Sequence, residues 1–143
     1  MICHFKRKGR YINMKNLDFD KIIFLNETHK DNFLYCCEQH SNTGRYLHCE
    51  ELPVFYLLAL AVGEQTNLIH AAYDFKERVI KPECLKGAWQ TSSTMKACLL
   101  AFNLWNGYMP AKYKVKTTPY EIFCSSWAPY FVQALRLRYD CYF

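Results

Sequence analysis

Apolar residues recur along most of this chain at the spacing of helical faces. The clearest case is 93–106, where Met95, Cys98, Leu99, Phe102 and Trp105 follow the period of one helix face. Ser92, Ser93 or Thr94 can cap its start, and Gly107 supplies a stop. Residues 51–62 read differently, being apolar at nearly every position. That predicts a helix buried on most sides, tolerant of Pro53 in its first turn and halted by Gly63. A third helix is expected over 28–40, capped by Asn26 or Thr28, with Phe33, Cys36, Cys37 and His40 on one stripe.

Shorter elements fill the intervals. Residues 18–25 read as a short extended segment, and 41–45 as a turn cluster. A brief helix is expected over 64–73, an irregular or extended stretch around Val79 and Ile80, and one helical turn opened by Pro82 and closed by Gly87. Residues 108–117 form a loop. Thr118, Pro119 and Glu121 then make a strong helix start, and Pro129 divides the final segment, with Ser125 or Ser126 capping its second part. Phe123, Trp127, Tyr130, Phe131, Ala134 and Leu135 would face inward. The pattern predicts an all-α, compact single domain of about five helices with little or no strand.

Composition sharpens this picture. At 143 residues and 51% hydrophobic content the chain has the size and apolar stock of one domain. No apolar run reaches the ~20 residues of a membrane span. No apolar segment of secretory type follows the basic start, so a cytoplasmic protein outside the membrane is expected. Eight cysteines in a chain of that kind are expected as reduced, small core residues.

The net charge of +5 does not belong to the domain. Lys6, Arg7, Lys8, Arg10 and Lys15 stand in residues 1–16 without one acid, and the rest holds thirteen side chains of each sign. The expectation is a basic, disordered leader over 1–16, or an upstream extension ahead of Met14, followed by a helical domain over 17–143.

Several stretches carry a resemblance. His70 to Phe75, Ile80 to Leu85, Trp89 to Ser93 and the run from Leu100 to Tyr108 are similar to a family of small Firmicute proteins of unknown function. So are the stretch from Phe24 to His29 and the ending from Leu135 to Tyr139. Members of that family often occur in genomes with phages and conjugative elements. The resemblance implies a compact bacterial protein borne by such an element, and brings no catalytic residues, cofactor or partner.

Each candidate chemistry has an architectural alternative. Cys36, Cys37, His40, His48 and Cys49 are zinc-type ligands, but without a paired C-x₂-C they read better as core, and no metal or other cofactor is expected. Cys84, between Lys81 and Lys86 near a helical first turn, has the setting of an activated thiol, and reads better as a half-buried loop anchor. His70 and Asp74 lie at i, i+4 on the expected helix and are the candidate catalytic pair. Tyr73, Gln90, Thr91, Ser92 and Asn103 are the candidate ligand-binding residues beside them. Hydroxyls from Thr91 to Thr94 at a helix start suit an anion, and equally a cap. Lys112, Lys114 and Lys116, near Tyr108, Tyr113 and Tyr120 and joined by Arg136 and Arg138, are the candidate nucleic-acid contacts.

The preferred expectation is a non-enzymatic, protein-binding accessory of a bacterial mobile element or phage, since Tyr and Trp are abundant and interfaces favour them. The alternatives are a small enzyme with a pocket around His70, Asp74 and the 90–94 loop, and a weak nucleic-acid binder through 112–116.

Overall fold

In the computed structural model the described residues are 11, 12, 14 and 17–140. Most of the basic leader, and Cys3 and Cys141, lie outside them. Among the described residues six α-helices are present: α1 Glu27–Ser41, α2 Glu51–Val62, α3 Ile69–Ala72, α4 Ser92–Asn106, α5 Pro119–Phe123 and α6 Ala128–Arg138. The expectation of an all-α fold is corrected to mostly helical. Two antiparallel pairs of two-residue strands accompany the helices: β1 (Tyr11–Ile12) with β2 (Leu47–His48), and β3 (Tyr73–Asp74) with β4 (Val79–Ile80).

Helix α2 is the hub. Every one of its residues is buried, and it packs against α4, α1 and α6. Its uniform apolarity requires this position, because a helix without a polar stripe must be covered on all sides. Phe33 of α1, Phe55 and Leu57 of α2, Leu99 and Phe102 of α4 and Phe131 of α6 form the middle of the core. Gly63 ends α2 at φ +53, where a side chain would be strained.

Caps set the other boundaries. The Asn26 side chain accepts the His29 N–H at 2.9 Å and starts α1. Thr91 and Thr94 form a reciprocal capping box on α4, and Gly107 closes it in the left-handed conformation. Thr118 caps α5, with Pro119 in its first turn. At α6 the expected serine caps are corrected: Trp127 holds the cap position, and Ser125 instead accepts the Trp127 N–H at 3.1 Å.

A second correction concerns 64–73. Residues Thr66–Leu68 form a 3₁₀ turn, α3 ends at Ala72, and Tyr73 and Asp74 are extended. His70 and Asp74 therefore do not share one helix. The hairpin that replaces the helix is held by Asp74 Oδ1, which accepts the N–H groups of Lys76 and Glu77, both at 2.9 Å. Among the described residues four further 3₁₀ turns occupy Phe19–Lys21, where an extended segment was expected, Pro82–Lys86, Ala111–Tyr113 and Val115–Thr117.

Candidate functional site

The chemistry of the molecule gathers at the head of α2. Glu51, at the start of the helix, is 2% exposed, yet it is an acid. Its Oε1 accepts the His48 N–H at 3.1 Å and a short hydrogen bond from Arg78 Nη2. Its Oε2 accepts the Tyr73 hydroxyl at 2.6 Å and Arg78 Nε at 3.3 Å. Burial by itself would raise the carboxyl, but the bonds from Arg78, Tyr73 and His48 outweigh it and hold Glu51 below its ordinary value. The positive end of α2 acts in the same direction.

Four elements supply this network. Tyr73 comes from β3, and burial and the neighbouring carboxylate push its phenol up. The Trp105 indole of α4 acts on that phenol in the opposite direction. Arg78 sits in the β3–β4 turn at φ +58, a conformation costing a non-glycine residue on the order of 1 kcal/mol. Its guanidinium also donates to the Tyr46 carbonyl at 2.8 Å, joining the turn to the segment before β2. The ion pair raises the Arg78 pKa.

His40, from the end of α1, completes the cluster in an unusual way. Its Nε2 donates to the Arg45 carbonyl at 3.1 Å, which leaves Nδ1 with its lone pair. That atom is buried, has no hydrogen-bond partner among the described residues, and faces Glu51 Oε2 at 3.6 Å. Desolvation lowers the imidazole pKa, assisted by Arg78 and opposed by Glu51 and the backbone carbonyls.

Outside the network lies a cleft of about 350 Å³, bordered by His48, Glu50, Glu51, Arg78, Trp105 and Asn106. Behind Glu50 stands Arg138 of α6, 3% exposed, with Nε donating to the Leu104 carbonyl at 2.9 Å. Tyr11 meets His48, which borders the cleft, edge-on at 5.0 Å, and the Tyr11 and Tyr46 rings lie 5.4 Å apart.

The residues singled out in the sequence are distributed over several places. Gln90, Thr91 and Ser92 line a second cleft of about 380 Å³ with Lys96, Lys116 and Glu121. There Gln90 Oε1 accepts the Thr94 hydroxyl at 2.7 Å while its amide donates to the Cys84 carbonyl at 3.0 Å. His70 is exposed and pairs with the Tyr35 hydroxyl at 2.6 Å. Asp74 is committed to its turn, where the Glu77 and Lys76 N–H groups lower its pKa. Asn103 donates to the Tyr108 carbonyl at 3.4 Å. Among the described residues no hydrogen bond joins His70, Asp74, Gln90 and Asn103 to one another. Tyr73 alone of this set belongs to the Glu51 network.

Lys112, Lys114 and Lys116 are exposed on the two 3₁₀ turns before α5, with Lys112 over the Tyr113 ring at 5.5 Å. Cys36, Cys37, Cys49, Cys84 and Cys98 are buried and unbridged, and Cys124 is exposed. The Cys84 thiol is raised by its bond to Cys98 and by burial, the opposite of an activated nucleophile. Among the described residues no three His, Cys, Asp or Glu side chains gather to hold a metal ion. None of the described helices is long and apolar enough to cross a membrane.

The Glu51 network went unread in the sequence because its members lie 22 and 27 residues apart. One signal was present: an acid opening a helix with no polar face has nowhere to go but inward.

A mostly helical domain with a buried ion-pair network beside an aromatic-rimmed cleft is therefore the class defined here. The chain belongs to a family of unknown function, DUF6075, which it matches over residues 19–143. No curated protein and no solved structure matches it.

Proposed function

We propose that this chain is a non-enzymatic protein-binding accessory, acting in the cytoplasm in the service of a bacterial mobile element or phage. The observation that carries the binding reading is the rim of the Glu51 cleft. Tyr46 is 74% exposed and Tyr11 54% exposed, and the backbone of each is held in place. The β1–β2 pair fixes Tyr11 and Arg78 fixes the Tyr46 carbonyl. Exposed tyrosines on a fixed backbone offer large contact area, which is how protein interfaces use them. Below the rim the ionisable groups of Glu51, Arg78 and Tyr73 bind one another, so their charges fix the surface. The mobile-element setting is supported by the sequence resemblance alone.

A photo-crosslinking residue at position 46 tests the reading in cells. The expected result is one discrete adduct that disappears when Tyr11→Ala is added. Equal labelling from the exposed control position Tyr120 would overturn it.

One observation favours a second reading. Lys116 lines the cleft with Thr91 and Ser92, beside Lys112 and Lys114. Nucleic-acid binding there would weaken steeply with salt and vanish when the three lysines are neutralised together.

A further inference from the structure

The hydrogen-bonding groups around the Glu51 cleft are unevenly used: among the described residues the Glu51 carboxylate is saturated, while Glu50 Oε1 and several donors make no hydrogen bond. A carboxylate offers about four acceptor positions. Glu51 fills them with His48 N–H, Tyr73 and two bonds from Arg78. Asn106 Oδ1 accepts the Tyr108 N–H at 3.0 Å. At the end of α4, the Asn103 carbonyl accepts the Gly107 N–H at 2.7 Å and the Leu104 carbonyl accepts Arg138 Nε.

The donors differ. Among the described residues, Arg78 Nη1 and Asn106 Nδ2 have no acceptor. Arg138 Nη2 is buried without a hydrogen-bond partner, and the nearest acid, Glu50 Oε1, stands 3.9 Å away. That separation is an ion pair but too long for a hydrogen bond. A buried guanidinium nitrogen in this state lacks stabilisation that an acceptor would supply. Glu50 also occupies the cap position of α2 without capping it, so the positive helix end faces this region uncapped by a side chain. The four charged side chains, Arg78, Arg138, Glu50 and Glu51, cancel. Net charge therefore favours neither sign, and the open donors of Arg78, Asn106 and Arg138 outnumber the one open oxygen of Glu50.

We propose that this cleft receives a carboxylate carried on an apolar or aromatic body. The oxygens take the unused donors of Arg78, Asn106 and Arg138, and the body packs on Trp105. Glu50 is the resident competitor and swings outward as the guest enters. The proposal rests on the protein-binding reading when the carboxylate is a partner's acidic side chain or chain end, set beside the Tyr11–Tyr46 anchor. A free organic acid carries the same chemistry.

The experiment follows the Trp105 indole resonance of the full chain, assigned by Trp105→Phe, during titration with N-acetylphenylalanine. Its amide and inorganic phosphate serve as controls. A saturable shift with the acid and none with the amide is expected. Asn106→Asp, which replaces a donor by a like charge, weakens binding about tenfold or more, and Glu50→Gln tightens it severalfold. An equal response to the amide overturns the proposal. So does weaker binding in Glu50→Gln, which would mark a cation site, or a phosphate response equal to that of the acid, which would mark a response to charge alone. If the acid binds but position 46 finds no partner, the protein-binding reading falls and a free acid is the guest. If position 46 finds its partner and no carboxylate moves Trp105, this inference alone falls.

Discussion

The two ends of α2 solve the same problem differently. Both bring polar groups from α1 against a buried helix. Toward the C-terminal end, Asn32 donates to the Ala59 and Gly63 carbonyls at 3.2 and 2.7 Å, and its oxygen accepts the Thr66 hydroxyl at 2.7 Å. Nearby, His29 Nδ1 accepts the Leu25 N–H at 3.1 Å while Nε2 donates to the Tyr56 carbonyl at 2.9 Å. Both nitrogens of His29 are used and no ion is involved. At the N-terminal end Glu51, Arg78 and Arg138 are charged, while His40 and Arg138 each keep a buried nitrogen without a partner. The first end is complete as it stands. The second retains unused hydrogen-bonding capacity beside a cleft, and that is the mark of a site.

Truncation at the two ends should separate them. The largest effect belongs to Glu51→Ala, which strands Arg78 and the Tyr73 hydroxyl. It should cost about 3–5 kcal/mol in urea denaturation. Next comes pH. Burial, partly offset by the Tyr56 carbonyl, lowers His29 from 6.5 to about 4. The unfolded chain thus binds the extra proton, so this stability is complete above 6.5 and is lost as pH falls toward 4. The His29 share of the loss should reach about 3 kcal/mol and disappear in His29→Gln, leaving the loss that His40, also lowered from 6.5, contributes. Glu51, lowered from 4.5, contributes its own loss as pH falls below 4.5, where most of the His29 loss is complete, so the upper part of the fall isolates the histidine. Asn32→Ala should cost about 1–3 kcal/mol by leaving two carbonyls and a hydroxyl unserved. Smallest is Tyr46→Ala, expected within about 0.5 kcal/mol of the parent, because its ring is at the surface.

Legibility followed the range of the interactions. The ends of α2 and α4 and the start of α5 could be read because Gly63, Gly107 and the 118–121 signal act on their immediate neighbours. The core position of α2 could be read because apolarity at every position admits one solution. The hairpin could not be read: strands of two residues show no alternation, and the i, i+4 spacing of His70 and Asp74 presupposed a helix that stops at Ala72. Gln90, Thr91 and Ser92 were found together since they are contiguous. Glu51 and Arg78 were missed since chain spacing says nothing of a contact made through a turn 27 residues away.

The difference between the two ends rests on two imidazoles, and their nitrogen-15 resonances followed against pH report on both. The account predicts that His29 stays neutral down to about pH 4. It predicts that His40 is neutral at pH 7 with its proton on Nε2, titrates below 6.5, and moves upward in Arg78→Ala. A His40 ring already protonated at pH 7 and bonded through Nδ1 to Glu51 would contradict it, because the charged end would then be as complete as the other.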